Sequence, residues 1–422
     1  MRFKSNEDKI ILCKKIAIHP TKEQIESIER DSFLCKKLYN TYLRQRLEYY
    51  NCYGKSMKMS EQRSQIKLLR EHNTDYAKVY AKHLHTVCMD LDTDYRNCIS
   101  KRAKGKKSKL PRYKNKNYFY PLKTPKEYVK IKDNKIKLGF YEFNIDVNEI
   151  PKNYGEVWIT KVRNKYMLSI TYEAEKIENN SNNILAVDLG ISKFITGINQ
   201  DGKVIEIINP RYDKYWNKKI DKVRSMRDKK KKGSRRYKKL TETLNRLYEK
   251  RRKQQEHFIH TITKYLVSHN KEIILGNLSQ EQMVNKSNIK ILNRSIKENW
   301  GLGKFKTILT YKAKLHGVNI VYVDEAYTSK ICSYCGEMQD MNLSKRVYRC
   351  QCGMEIDRDV NSSINIYNKY NKGHKELSYK KINQVITLYF QYGKLVAWLR
   401  RRGNKSTVGS RYGIVERCHY VH

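Results

Sequence analysis

Residues 184–187 read Ile-Leu-Ala-Val, an unbroken apolar run that ends on Asp188 and meets Gly190 two residues later. Unbroken apolar runs of strand length mark strands covered on both faces, as in parallel or mixed sheets. Ligand and metal sites of such sheets gather where the strands end. A second run, Glu272-Ile273-Ile274-Leu275, stops at Gly276-Asn277-Leu278. A helical stretch over 302–316 then leads to a third run, 318–323. Strand, helix and strand in this order predict parallel neighbours of the Asp188 strand. Residues 194–199 and 204–208 read as the next two strands of an antiparallel meander.

The first half of the chain has a different texture. Residues 10–19 are β-like, and Thr21 with Gln24 three positions on forms the signature of a capping box that opens a helix. Ile25, Ile28, Cys35, Leu38 and Tyr42 carry a loose helical period. Leu84, Val87, Cys88 and Leu91 give one apolar helix face before the basic run 101–107. β character returns over 128–131, 135–138, 142–147, 157–162 and 166–172, with Asp133-Asn134 and Arg163-Asn164-Lys165 as hairpin turns. A small antiparallel β-barrel carrying a helical insertion fits this pattern. The boundaries expected are a first barrel strand in 1–20, the helical insertion in 21–110 and the barrel in 111–180. An α/β domain follows over 181–330 and contains the basic helices of 215–269. A knuckle spans 331–355, a further segment of the α/β domain 356–370, and a basic, partly helical tail 371–422.

Charge narrows the partners. Lys and Arg total 88 against 43 acids, a formal net charge of +45, which implies a polyanion. An AT-rich genome inflates Lys, Asn and Tyr together, but it does not explain the low acid count. The 33 tyrosines interleaved with basic residues suit stacking on unpaired bases. Arg112 and Lys114 lie in a basic, aromatic, proline-pinned segment, and Lys230, Lys231, Lys232, Arg235 and Arg236 lie between two helices. These seven are the candidate nucleic-acid contacts, although an ordinary solvated linker fits Arg112 and Lys114 equally well. No stretch approaches the roughly 20 apolar residues of a membrane span, and the N-terminus lacks a signal-peptide core. No membrane partner is expected, and an intracellular setting is.

Four of the ten cysteines cluster: Cys332 and Cys335, then Cys350 and Cys352 after 14 intervening residues. Two close pairs on turns can close a tetrahedral thiolate zinc site with no position left for catalysis. The pattern reads as a reducing compartment and one structural Zn2+ rather than a disulfide framework. The second pair is Cys-x-Cys, tighter than the usual knuckle. Cys418, His419 and His422 near the end offer a weaker metal set, for which a disordered end is the preferred reading.

Directly after the knuckle stands Asp357-Arg358-Asp359-Val360-Asn361-Ser362-Ser363. Asp359 near a helix start sits well in the helix dipole and can bind a metal; a plain capping aspartate is the simpler reading of this stretch alone. Asp188-Leu189-Gly190, the cysteine knuckle and this segment, in this order, resemble the TnpB family. These are transposon-encoded RNA-guided nucleases related to the smallest type V CRISPR effectors and to Fanzor proteins. The resemblance extends to residues 20–24, 110–114 and 300–316 and fades after about Tyr370. It implies a RuvC-type RNase H-like domain with three acids holding two Mg2+ ions. Its implied partners are a guide RNA, made from the element's own transcript, and target DNA. The host would be a bacterial cytoplasm, or the nucleus or cytoplasm of a eukaryotic or viral host. Cutting a phosphodiester calls for the same parts, because two clamped divalent ions serve both the attacking and the leaving oxygen.

One position departs from the family. Most relatives carry the second acid where this chain has Gly276. Glu325, at the end of the neighbouring strand in Glu-Ala-Tyr-Thr, resembles the relocated acid of a TnpB and Fanzor subset. Asp324 is its rival, and Glu272 lies at the wrong end of its strand. The expected catalytic set is therefore Asp188, Glu325 and Asp359, and the expected activity is Mg2+-dependent, RNA-guided DNA cleavage. The alternative is a nuclease-inactive guided DNA binder that regulates transcription. A DNA-transposing enzyme would need a His-x-His pair with a catalytic tyrosine, which is not read here. A sugar-kinase-like ATPase, which shares strand-Asp-x-Gly, would need phosphate loops that are absent.

Overall fold

The computed structural model describes residues 9–277, 290–341, 345–371, 377–401 and 415–417. Two compact units divide the chain, Met1–Glu175 and Lys176–His422.

In the first unit, β1 (Ile10–Ile18) leads into a helical layer of α1 (Lys22–Tyr53), α2 (Met59–His72), α3 (Thr74–Ala77) and α4 (Ala81–Ala103). The capping box that opens α1 is formed: Gln24 donates its backbone N–H to Thr21 Oγ1 at 3.2 Å, and Thr21 donates its own to Gln24 Oε1 at 3.0 Å. The strands β2 (Leu122–Thr124), β3 (Val129–Lys132), β4 (Lys135–Leu138), β5 (Tyr141–Asn144), β6 (Tyr154–Val162) and β7 (Lys165–Ala174) follow. They form two antiparallel sheets, ordered β1-β7-β6-β2 and β3-β4-β5. Asp133 and Asn134 both take positive φ, 49° and 53°, as a two-residue hairpin turn demands. No ladder joins the two sheets among the described residues, so the expected barrel is an open pair of sheets. A single core closes them with the helices, since Leu38, Leu43, Leu84 and Leu91 cluster with Ile136, Val157 and Leu168.

The second unit is built on one mixed sheet. Its elements are β8 (Ile184–Leu189), β9 (Lys193–Asn199), β10 (Lys203–Ile208), α5 (Tyr212–Asp228), α6 (Arg235–His269), β11 (Glu272–Gly276), α7 (Leu302–Leu315) and β12 (Asn319–Val323). After them come β13 (Val347–Arg349), β14 (Glu355–Asp357), α8 (Arg358–Tyr370), β15 (Gln384–Gln391), β16 (Lys394–Arg401) and β17 (Val415–Arg417). The sheet order is β12-β11-β8-β9-β10-β15-β16-β17. β12, β11 and β8 run parallel, and β8-β9-β10 is the expected antiparallel meander.

Strand alternation then divides the faces. Leu185, Val187 and Leu189 of β8 and Ile273 and Leu275 of β11 share a core with Phe258 and Ile262 of α6 and Phe305 and Leu309 of α7. Ala186 and Ile274 face the other way, into a core with Val360, Ile364 and Tyr367 of α8. Asp188 follows Ala186 by two residues and Gly276 follows Ile274 by two. Both positions therefore present the α8 face at the C-terminal ends of parallel strands.

The tail differs from its expected form. Residues 384–401 are not helix: β15 pairs parallel with β10 and antiparallel with β16, extending the main sheet. The alternating apolar residues Ile386, Leu388 and Phe390, and the Tyr392-Gly393 turn with φ of 49° and 80°, carry that signal. Cys418, His419 and His422 lie outside the described residues.

Candidate active site and metal knuckle

Gly190 lets β8 end abruptly. A Cβ there would lie 2.6 Å from the Lys193 carbonyl oxygen, so only glycine fits the turn that returns as β9. Asp188 is left half-buried, paired in register with Thr196. On the α8 side, Ser363 Oγ donates to the Thr196 carbonyl at 2.7 Å. Its small side chain brings the helix down onto β9 beside Asp188. One turn earlier on α8 stands Asp359, also half-buried.

Helix α8 is capped by Asp357, whose Oδ1 accepts the backbone N–H groups of Asp359 (2.9 Å) and Val360 (3.3 Å). The capping role thus belongs to Asp357, which leaves the Asp359 side chain outside the cap. Asp357 is itself held by Lys193, whose Nζ lies 2.7 Å from Asp357 Oδ2 and 2.7 Å from Glu206 Oε1. The Arg358 guanidinium approaches Asp359 at 3.4 Å.

Glu325 comes from the loop after β12. That loop is fastened to β11 where the Asn277 N–H donates to the Val323 carbonyl at 2.9 Å. Its carboxylate lies over Gly276: a Cβ added at 276 would sit 2.5 Å from Glu325 Oε2 and 2.8 Å from its Cδ. The side chain from position 325 fills the space that a side chain at 276 would use. Asp324, the rival, is exposed and accepts the Ala326 N–H at 3.1 Å. Glu272 begins β11, at the far end of the strand from Gly276.

The acids feel one another. Burial, then the Glu325 and Asp359 carboxylates, push the Asp188 carboxyl well above the usual carboxylate range, while Arg358 pulls it down. Burial raises Glu325 as well, against a hydrogen bond with Asp188 and the nearby charges of Lys306 and Lys369. The paired Asp188 and Glu325 carboxyl groups favour sharing a proton or a cation. Carboxylate oxygens are the donors that Mg2+ takes, so the chemistry of these side chains suits a divalent cation.

The four knuckle cysteines converge, with all four Sγ atoms within 4.8 Å of one another. Cys332 Sγ and Cys352 Sγ are 3.7 Å apart, and Cys335 Sγ and Cys350 Sγ are 3.5 Å apart. A tetrahedron with metal–sulfur bonds of about 2.3 Å has edges of about 3.8 Å. The Cys-x-Cys pair meets this geometry, with Gly353 at φ 82° taking the tight turn. A hydrogen bond from the Glu337 backbone, helped by the neighbouring cysteines, brings the Cys335 thiol down to about 7. The residues fit a structural zinc ion.

Comparison with known proteins places these parts. A family model described as a probable transposase matches residues 167–287, and one described as the Cas12f1-like TNB domain matches 303–366. A helix-turn-helix model matches 11–55, which here is β1 followed by the single long α1. A TnpB-like protein of Methanocaldococcus jannaschii is 27% identical over 261 residues, 57% of this chain and 92% of that protein. This chain is similar to the TnpB proteins. InsQ of Escherichia coli K12, named as a proposed RNA-guided DNA endonuclease, is 26% identical over 83% of this chain and 90% of its own length. The fold of this chain also matches the Cas12f1–sgRNA–target DNA complex, with a TM-score of 0.56, 16% identity and coverage of 83% and 84%.

The seven basic candidates behave differently from one another. Lys231, Lys232, Arg235 and Arg236 are exposed at the turn between α5 and α6, where Gly233 has φ 88° and Ser234 caps α6. Lys230 is half-buried and Arg112 is exposed. Lys114 is already engaged: Nζ lies 3.7 Å from Asp94 Oδ2 and 4.3 Å above the Tyr39 ring. Several tyrosines expected to stack on bases are covered by the chain's own cations, as Tyr215 is by Lys219 and Tyr237 by Arg227. The sequence does contain a His-x-His pair, His83-Leu84-His85. His83 is buried in α4, with Nε2 3.1 Å from Thr124 Oγ1, so it is a core residue. Among the described residues, no helix is long and apolar enough to cross a membrane.

Sequence reasoning missed Lys193, Asn361, Asn365 and Lys369 as supports of the site. The signal available was the spacing of Asn361, Asn365 and Lys369, four residues apart on one helix and partly among apolar neighbours.

Proposed function

We propose that this protein is a Mg2+-dependent, RNA-guided DNA endonuclease of the RuvC type, with Asp188, Glu325 and Asp359 as its metal-holding acids. The observation that carries this reading is the Glu325 carboxylate lying over Gly276 in electrostatic contact with Asp188. The acid absent from β11 is supplied by the adjacent parallel strand, at the same end and on the same face. Proteins that share its family and fold, named or pictured with guide RNA and target DNA, support the choice of substrate.

When bound, a pair of divalent ions supplies an activated water and charge stabilisation at the attacking and leaving oxygens. The chain's own residues prepare that site. Asp188 and Glu325 would hold the ions through their carboxylates, whose proton affinity is raised while no cation is bound. Asp359 stands free of the helix cap because Asp357 does the capping. Arg358 offsets the remaining acid charge. A guide paired with its target supplies sequence recognition, and the protein reads only a short flanking duplex. The exposed cations between α5 and α6 suit phosphate contact. The thiolate knuckle holds Zn2+ in a structural role.

Gly276 also motivates a second reading, a guided DNA binder without nuclease activity. One experiment separates them. RNA co-purifying with the protein is sequenced, and a matching DNA is offered with Mg2+. Cleavage by the unaltered protein and its loss in Glu325→Ala, with guided binding retained, supports the nuclease. Guided binding without cleavage by the unaltered protein supports the regulator.

A further inference from the structure

Helix α8 has a second edge, away from Asp188. Asn361 is wholly buried, and its amide brackets the zinc-site residue Cys332: Nδ2 donates to the Ile331 carbonyl at 2.8 Å, and Oδ1 accepts the Ser333 N–H at 3.0 Å. One turn on, Asn365 Nδ2 donates to the Ile331 carbonyl at 2.7 Å and to the Thr328 carbonyl at 2.8 Å. Thr328 in turn donates its N–H (3.2 Å) and its Oγ1 hydroxyl (3.0 Å) to the Glu325 carbonyl. A further turn on, Lys369 Nζ donates to the carbonyls of Ala326 (2.6 Å) and Asp324 (3.1 Å), on either side of Glu325. Residues four apart on a helix share one edge. A single edge of α8 therefore grips the loop from Asp324 to Ser333, with the candidate acid near one end and a knuckle cysteine near the other.

This loop is a succession of turns, in which the Lys330 and Ile331 N–H groups donate to the Tyr327 carbonyl at 2.9 and 3.0 Å. Tyr327 sits at φ 64°, a conformation that a side-chain-bearing residue holds only when its surroundings impose it. The Asn361 and Asn365 amides satisfy the Thr328 and Ile331 carbonyls that follow it.

We propose that Asn361, Asn365 and Lys369 are positioning residues that join the thiolate knuckle and Glu325 into one rigid piece. The order of the knuckle thereby sets where the Glu325 carboxylate stands relative to Asp188 and Asp359. None of the three touches either metal set. The inference rests on the proposed role of Glu325, and its test keeps the two apart.

Mn2+ serves as the probe, because the loss of its free-ion electron paramagnetic resonance signal counts bound ions without any cleavage. The full-length protein with its co-purified RNA is titrated, and zinc content is measured in parallel. Asn365→Leu keeps the shape of the side chain and removes both donors. Lys369→Met acts only at the Glu325 end of the loop. Both variants are expected to retain one zinc per chain and guided DNA binding while binding Mn2+ about tenfold more weakly, the usual effect of losing an outer support of a metal site. The Mg2+ concentration for half-maximal cleavage is expected to rise by the same factor, with cleavage recovered at saturation. Mn2+ affinity unchanged in both folded variants overturns the inference. If Glu325→Ala also binds Mn2+ as tightly as the unaltered protein, the role given to Glu325 has failed instead.

Discussion

A methyl group at position 276 would meet the Glu325 carboxylate before anything else in the protein. The obstacle is the far end of a flexible side chain, so the fold can give way cheaply while the acid is displaced. Gly276→Ala is therefore expected to lower cleavage roughly ten- to hundredfold while leaving the melting temperature nearly unchanged. Unchanged cleavage would mean that the acid is not needed where it stands. The pair Gly276→Glu with Glu325→Ala puts the carboxylate back on β11 and is expected to recover part of the activity. His83 gives a second residue-scale prediction, about stability. Burial takes its imidazole down to about 3, against an ordinary value of 6.5, and its Nδ1 has no partner. Between these values the unfolded chain binds a proton that the folded chain refuses, so stability falls as pH drops below about 6.5. This group contributes a slope of up to about 1.4 kcal/mol per pH unit. His83→Gln, which does not titrate, should flatten the dependence of denaturation on pH between 6 and 4. A slope equal to that of the unaltered protein would show that His83 is not the group responsible.

At the scale of elements, α8 does several jobs from one sequence segment, and its cap is the most exposed to test. Asp357 both accepts two helix N–H groups and pairs with Lys193. Asp357→Asn keeps a good capping residue and removes the charge pair, whereas Asp357→Ala removes both. The alanine variant is expected to lose about 1 kcal/mol or more and the asparagine variant less. Hydrogen exchange at the Asp359 and Val360 amides should quicken in the same order; equal exchange in both would deny the cap. What the sequence disclosed follows from locality. The β8 and β11 runs, the Thr21 capping box and the Asp133-Asn134 turn are fixed by neighbouring residues, and each could be read. The knuckle could be read because its ligands are close in sequence. The approach of Glu325 to Gly276 was legible because parallel strands deliver their ends together. The supports were not. Lys193 reaches Asp357 across 164 positions, and no local pattern encodes such a pairing. The strands of 384–401 carry a local alternation, but their pairing with β10 joins residues about 180 positions apart, which no local pattern encodes.

At the scale of the molecule, a net charge of +45 makes the ionic atmosphere part of the binding equilibrium. Each phosphate neutralised by Lys or Arg releases condensed counterions, so affinity falls steeply with salt, with a logarithmic slope near −0.7 per contact for single strands. Net charge alone does not say which cations make those contacts; exposure and prior engagement do. Arg235 and Arg236 are exposed at the α5–α6 turn. Lys114 is tied to Asp94 and Tyr39 within its own unit. The double variant Arg235→Ala with Arg236→Ala should therefore weaken RNA binding at low salt and reduce the magnitude of the salt slope by about 1–2. Its melting temperature should hold. Lys114→Ala should do the reverse, lowering thermal stability with little change in slope, because it removes an internal support and not a phosphate contact. Equal slopes for all three proteins would place the guide elsewhere on the basic surface. A changed slope for Lys114→Ala alone would show that nucleic acid draws Lys114 away from Asp94. The ion pair would then be a resting partner of that cation.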